Sequence, residues 1–130
     1  MDRLLQEERA AGLTSGAWIG DFRQRMVRSK LELYECLARL KREQARIYGS
    51  GAPSRASTLI NYVGLDDGIL DCVLEVPGSK KLGKCIPGTK IPVLEESKLY
   101  TDQPPVALLL SWHIASELCG NLKRKGYAGD

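Results

Sequence analysis

The sequence predicts an α/β fold: a mostly parallel sheet flanked by helices and preceded by a long N-terminal helix. Two short, strongly apolar runs, residues 69–76 and 106–110, read as strands covered on both faces. They alternate with helix-periodic segments and with turns marked by glycine and proline, the order expected of a parallel sheet with crossover connections. At 130 residues the chain can build one core but not two.

Each element has its own signal. Residues 1–13 are charged, with Leu4, Leu5 and Leu13 as their only large aliphatics, and read as a helical lead-in or an arm. Asp21 and Gln24 have the spacing of a capping box and predict a helix over 21–44. Its apolar residues form two stripes: Phe22, Met26, Leu33, Leu37 and Leu40, and beside them Val27, Leu31, Tyr34 and Ala38. Such a helix either packs into its own core or docks its outer stripe on a neighbouring domain or a second copy. Residues 45–48 form a first strand. Pro53 suits the first helical position, Leu59, Ile60 and Val63 the buried face, and Gly64 the stop.

Residues 69–76 then give a second strand and 77–90, rich in Gly, Pro and Lys, a loop. Residues 91–94 suit a short strand and 95–99 one or two helical turns. Pro104-Pro105 introduces the strand at 106–110, and Ser111 can cap a last helix with Ile114, Leu118 and Leu122 on its face and Gly126 at its end. The α/β core over 45–130 is therefore expected to lack a final strand beyond Asp130, with 1–44 as a helical lead-in.

Composition excludes several functions. A net charge of +3, spread along the chain, and six Tyr and Phe residues in all give no basic-aromatic nucleic-acid surface. Lys123-Arg124-Lys125 complements a helix dipole instead. No apolar run approaches the ~20 residues needed to cross a bilayer, and the charged start does not suit a signal peptide. Cys36, Cys72, Cys85 and Cys119 contain no C-x-x-C pair. They read as buried free thiols in a reducing cytosol, with a zinc site only by spatial coincidence.

The densest functional signal is Tyr48-Gly49-Ser50-Gly51-Ala52-Pro53-Ser54-Arg55. A strand, a glycine turn and a helix start in that order place backbone N–H groups and a positive helix end together, a setting for phosphate. Ser54 stands where a dinucleotide fingerprint expects Gly or Ala, so a tight βα turn without a ligand also fits. Glu75 closes the second strand at about the 20-residue offset of a ribose-binding acid; a solvated Glu is the plainer reading. Arg55 opposes the dipole of its own helix unless an anion is present.

Trp112 offers a flat face for stacking a base or sugar. His113, the single histidine, is either a base without a nameable partner acid or a surface residue. Lys80, Lys81 and Lys84 form a basic loop, solvated or clamping a diphosphate. Ligands of such sheets bind beyond the carboxyl ends of the strands, which gathers residues 49–55, 75–81 and 111–113 at one crevice.

These residues resemble the C-terminal domain of S-adenosylmethionine-dependent sugar C-methyltransferases over nearly the whole chain. The resemblance is carried by residues 4–13, by residues 48–55 with Thr58-Leu59-Ile60-Asn61-Tyr62, by Pro87-Gly88-Thr89-Lys90-Ile91-Pro92, and by Leu109-Leu110-Ser111-Trp112-His113. The chain departs from the family at Arg55, where Lys is usual, at Ala56-Ser57, where Gly and Asn are usual, and at His113, where Asn often stands. Glu75-Val76-Pro77-Gly78-Ser79 replaces the family's Asp-x-Asn-Pro pattern.

The resemblance implies a Rossmann-like accessory domain that helps hold a nucleotide-linked sugar against a catalytic, S-adenosylmethionine-binding domain. It brings Asn61 and Thr89 into the ligand set with Gly49, Ser50, Gly51, Ala52, Pro53, Arg55, Glu75, Trp112 and His113. No cofactor is expected in this chain, no residue is named catalytic, and a cytoplasmic location is expected. Two alternatives stay open: a stand-alone NAD(P)-binding oxidoreductase domain using Glu75 on a ribose, and an interaction module, including a homodimer, built on the long helix.

Overall fold

A computed structural model describes residues 2–130, with the side chains of Thr14 and Ala17 set aside. The chain divides into two compact units, one ending at Leu33 and the other comprising Tyr34–Asp130. The first holds α1 (Asp2–Ala10), a 3-10 turn (Leu13–Ser15) and the start of α2 (Ala17–Arg42). None of α1's described side chains is buried. Gly12 and Gly16, at φ 72° and 71°, bracket the 3-10 turn in the left-handed conformation that glycine adopts without penalty. The helix thus begins at Ala17, one turn before Asp21, which is therefore not its cap.

The second unit is the expected parallel sheet. Strands β1 (Ile47–Ser50), β2 (Cys72–Glu75), β3 (Val93–Glu95) and β4 (Val106–Leu109) lie in the order β3-β2-β1-β4. All three pairings are parallel, with Gly49 opposite Val73 on one side and Leu108 on the other. α3 (Ser54–Val63) joins β1 to β2, α4 (Ser97–Asp102) joins β3 to β4, and α5 (Ala115–Arg124) follows β4 after a 3-10 turn, Trp112–Ile114. The strands start later or run shorter than their apolar runs. Asp71, for instance, stays outside β2 because its carboxylate accepts from the Ile47 amide at 2.7 Å and from Lys41 at 2.8 Å.

Pro53 is the residue before α3 rather than its first, held extended at φ −62°, ψ 155°. Ser111 precedes the 3-10 turn without a side-chain cap. At the chain's last residue, Asp130 donates to Pro105 O at 2.9 Å and accepts from Ala107 at 2.6 Å, along the outer edge of β4.

One face of the sheet packs Tyr48, Cys72 and Leu74 against Leu99, Leu122 and Tyr127. The period-2 alternation of a strand turns Ile47 and Gly49 to the other face. There a Cβ on Gly49 would stand 2.9 Å from Leu110 Cδ1 and 3.0 Å from Val73 Cγ2. Of the four cysteines only Cys72 is buried; Cys36, Cys85 and Cys119 are exposed free thiols, because each lies on an outward helix face or in a loop. Burial pushes the Cys72 thiol up to about 12.

Two predictions follow from this core. Gly49→Ala overpacks it against Val73 and Leu110 and should cost about 1–3 kcal/mol in urea unfolding. Burial and the Tyr48 hydroxyl's 2.5 Å hydrogen bond to Asp102 raise the Tyr48 phenol to about 12, above the ~10 of an unfolded tyrosine. Its contribution is thus complete below pH ~10 and is lost as pH rises through about 12. Alkaline titration of stability should be shallower over that window in Tyr48→Phe, by up to about 1.4 kcal/mol per pH unit.

Candidate functional site in the crevice at the strand ends

The strand order reverses direction beside β1, since β2 and β3 lie to one side of it and β4 to the other. Chain leaving β1 and chain leaving β4 therefore part to opposite sides, and a crevice opens at their carboxyl ends. It has a volume of about 200 Å³ and is lined by Ser50, Gly51, Glu75, Glu96, Ser111 and the apolar Ile114, among others. A second cavity of about 170 Å³ lies under the 77–90 loop, against Ala52, Pro53, Ser57, Lys84 and Ile86. Lys81 faces this second cavity and Glu75 the first. Their side chains pair at 3.5 Å, so the two spaces adjoin at that ion pair.

The glycine turn is built differently from the expectation that Gly49, Gly51 and Ala52 all offer amides to a ligand. Gly49 is buried inside β1 between two partner strands, and its lack of a side chain serves the core. The Gly51 amide already donates to Leu74 O at 3.0 Å. Gly51 has φ 80°, and a Cβ there would meet Ser111 Oγ at 3.0 Å, so this glycine lets the β1 turn and the β4 end close on one another. At the head of α3, Pro53 provides no side-chain cap, and the Ser54 and Arg55 amides lie in the first turn, where no intrahelical acceptor exists. The Ala56 amide is taken by Pro53 O at 2.8 Å. Lys81 donates its ammonium to Ala52 O, which draws the basic loop down onto the turn.

The other named residues fall into two groups. Arg55 is brought to Trp112, its guanidinium 5.8 Å from the ring centroid, and Trp112 meets His113 edge-on at 6.4 Å. All three are exposed and line neither cavity; a planar cation and an aromatic face stand together beyond the ends of β1 and β4, a pairing worth about 0.5–1 kcal/mol at an exposed site. Glu75 accepts from the Val76 amide at 3.1 Å while reaching Lys81, which leaves its carboxylate at the crevice wall.

Asn61 and Thr89 line neither cavity themselves and bond instead to residues that line the second one. Asn61 donates to Ser57 O at 2.7 Å and Pro87 O at 2.9 Å. Thr89 donates to Ile86 O at 2.9 Å and accepts from the Ile91 amide at 3.1 Å. They hold the Pro87–Pro92 turn, whose Gly88, at φ 82°, would carry a Cβ 2.5 Å from Asn61 Oδ1.

Sequence reasoning missed Glu96 as a wall residue. Its carboxylate accepts from Tyr100 at 3.1 Å and from Lys125 at 3.3 Å. Burial and Glu96 raise the Tyr100 phenol to about 12, which keeps that hydroxyl a donor. Glu96 directly follows β3, and the rule that placed Glu75 at a strand end reaches it as well.

Residues 1–129 match the family described as the C-methyltransferase C-terminal domain. The chain belongs to that family. Among curated proteins, the C-methyltransferase NovU of Streptomyces niveus is 28% identical over 120 residues, which cover 92% of this chain and 28% of that protein. This C-methyltransferase C-terminal domain thus spans less than a third of the relative it matches. Among the described residues no cluster of His, Cys, Asp and Glu is arranged to hold a metal ion, and no helix is long and apolar enough to cross a membrane.

Gly51→Ala forces a left-handed backbone on a side chain that also meets Ser111. It should destabilise the domain by about 1–2 kcal/mol, measured by thermal and urea unfolding.

Proposed function

We propose that this domain binds the nucleotide-linked sugar substrate of a C-methyltransferase and presents it to the donor-binding portion of the enzyme. The observation that carries the reading is the pairing of Lys81 with Glu75 across the turn at the head of α3. It brings a cation at the second cavity against a carboxylate at the first, beside the uncapped head of α3. A diphosphate would take Lys81 and the Ser54 and Arg55 amides, releasing Ala52 O and Glu75. Glu75 would then be available to accept from a sugar or ribose hydroxyl, with Glu96 behind it. The Arg55–Trp112 pair would lie against the base or the sugar ring. Family membership supports the reading, and so does the similarity to the C-methyltransferase of Streptomyces niveus.

The methyl donor implied by the resemblance, S-adenosylmethionine, would supply the methyl group from outside this chain. A crevice of about 200 Å³ is smaller than the ~300–1,000 Å³ of sites that enclose a whole drug-sized ligand, so it would enclose only part of the nucleotide-linked sugar and would leave no room for the donor beside it. No step of methyl transfer is assigned to these residues. Their contribution would be positional, holding one reactant in a productive orientation, which is where much of an enzyme's rate advantage arises.

Titration calorimetry with nucleoside diphosphate-linked deoxysugars tests the reading. Binding should weaken at least tenfold in Lys81→Met and in Glu75→Gln, with Lys81→Met also flattening the salt dependence. Absence of heat for the wild-type domain, persisting when the donor-binding portion is supplied, would defeat it. Saturable binding of NADH that is lost in Glu75→Ala would favour a dinucleotide-binding domain instead.

A further inference from the structure

Ser50, the last residue of β1, is 7% exposed, and its hydroxyl has no hydrogen-bond partner among the described residues. Every fully enclosed side-chain nitrogen or oxygen among those residues does have one. The Ser50 hydroxyl is therefore not sealed in the core; it opens onto the crevice that Ser50 lines. Across the glycine turn, the Ser111 hydroxyl also has no partner among the described residues and lines the same space. A buried polar group left unpaired costs stability, and a ligand that pairs it recovers that cost. The charges beside these hydroxyls have one sign. Glu75 and Glu96 line the crevice with side chains 14% and 22% exposed. The Glu96 amide donates to Glu75 O at 2.8 Å, so the two carboxylates arise from adjacent backbone. Among the described residues lining the crevice there is no Lys, Arg or His. The cations that pair with these carboxylates reach them from outside, Lys81 from the second cavity at 3.5 Å and Lys125 from just beyond α5 at 3.3 Å.

We propose that this crevice recognises an amino group on the bound sugar, carried as an ammonium that donates to Glu75, Glu96 and the Ser50 hydroxyl. The assignment rests on the proposed function and deepens it by naming the class of sugar. When a diphosphate draws Lys81 away, Glu75 is left 14% exposed and without its cation. A sugar hydroxyl would restore a hydrogen bond to it. An ammonium would restore the hydrogen bond and the charge, and an unbalanced carboxylate is what makes a broken, shielded ion pair costly. Leu74, Ile114 and Leu118 wall the same space; such apolar surroundings lower the local dielectric and strengthen a bond between opposite charges. A free metal cation is a poorer occupant, because no group of three or more His, Cys, Asp and Glu among the described residues is arranged to hold one. A sugar whose amine is acylated loses the positive charge and meets two carboxylates with nothing to offset them.

The test is titration calorimetry on the 130-residue chain with uridine- and thymidine-diphosphate hexoses that differ in a single substituent. Hydroxyl, amino and acetamido forms are compared at C2, C3 and C4 of the sugar. At one of these positions the amino form should bind about tenfold more tightly than the hydroxyl form, and acetylation should remove the gain. Glu96→Gln should cut the amino-to-hydroxyl preference at least fivefold, whereas a merely structural loss would weaken both sugars alike. Glu75→Gln reads the same ratio should Glu96→Gln melt early. Ser50→Ala should weaken binding of the amino form without lowering the melting temperature, since its hydroxyl has no partner in the chain to lose. Equal affinities for amino and hydroxyl forms at all three positions would overturn the inference and leave the proposed function standing. A preference that survives both Glu96→Gln and Glu75→Gln would overturn its assignment to this crevice. Absence of binding by every sugar nucleotide would overturn the inference together with the proposed function.

Discussion

The structure depends on β1 being paired along both edges while carrying glycine at its centre. A strand between two parallel neighbours must fit side chains from both, and at Gly49 the space left by Val73 and Leu110 is smaller than a methyl group. This close fit brings the end of β4 toward the glycine turn, where Gly51 and Ser111 meet. The crevice, the head of α3 and the Arg55–Trp112 pair all take their positions from that junction. A core requirement and a functional one are thus satisfied by two glycines two residues apart, for different physical reasons.

Electrostatics at the mouth are arranged around exchangeable partners. Lys81 is shared between a backbone carbonyl and Glu75, and Glu96 between Tyr100 and Lys125. Lys81 and Glu75 both remain partly open to water, so their mutual attraction is weak and screened. A phosphate could compete for the ammonium at little cost, whereas a fully buried pair would resist exchange. The uncapped amides at the start of α3 add a fixed positive end that needs no rearrangement.

α2 shows how one periodic pattern serves two environments. Leu37, deep in the α/β unit, is 2% exposed, whereas Phe22 on the same stripe is 50% exposed. Periodicity reports which residues share a face, but burial of that face is decided by whatever lies opposite. The sequence therefore left two readings of the helix open, its own core or an outside partner; the structure buries Leu37 toward one end and leaves Phe22 exposed toward the other. The cysteines teach the same lesson: an apolar neighbourhood in sequence suggested burial for Cys36 and Cys119, yet both lie on outward helix positions.

The chain's order of strands and helices, its parallel sheet, the 77–90 loop and the glycine turn were legible from residue patterns alone. Alternation, apolar runs and Gly/Pro punctuation are local properties that the backbone must obey wherever it folds. The residues gathered at the carboxyl ends of the strands, Glu75, Trp112 and His113 among them, were legible for the same reason once the sheet was taken as parallel. Tertiary structure alone decided which amides at the turn are already spent in the sheet, that Lys81 rather than its neighbours reaches Ala52 and Glu75, and that Asn61 and Thr89 brace the Pro87–Pro92 turn. Those outcomes depend on distances between segments remote in sequence, and a linear pattern carries no information on how closely two such segments approach.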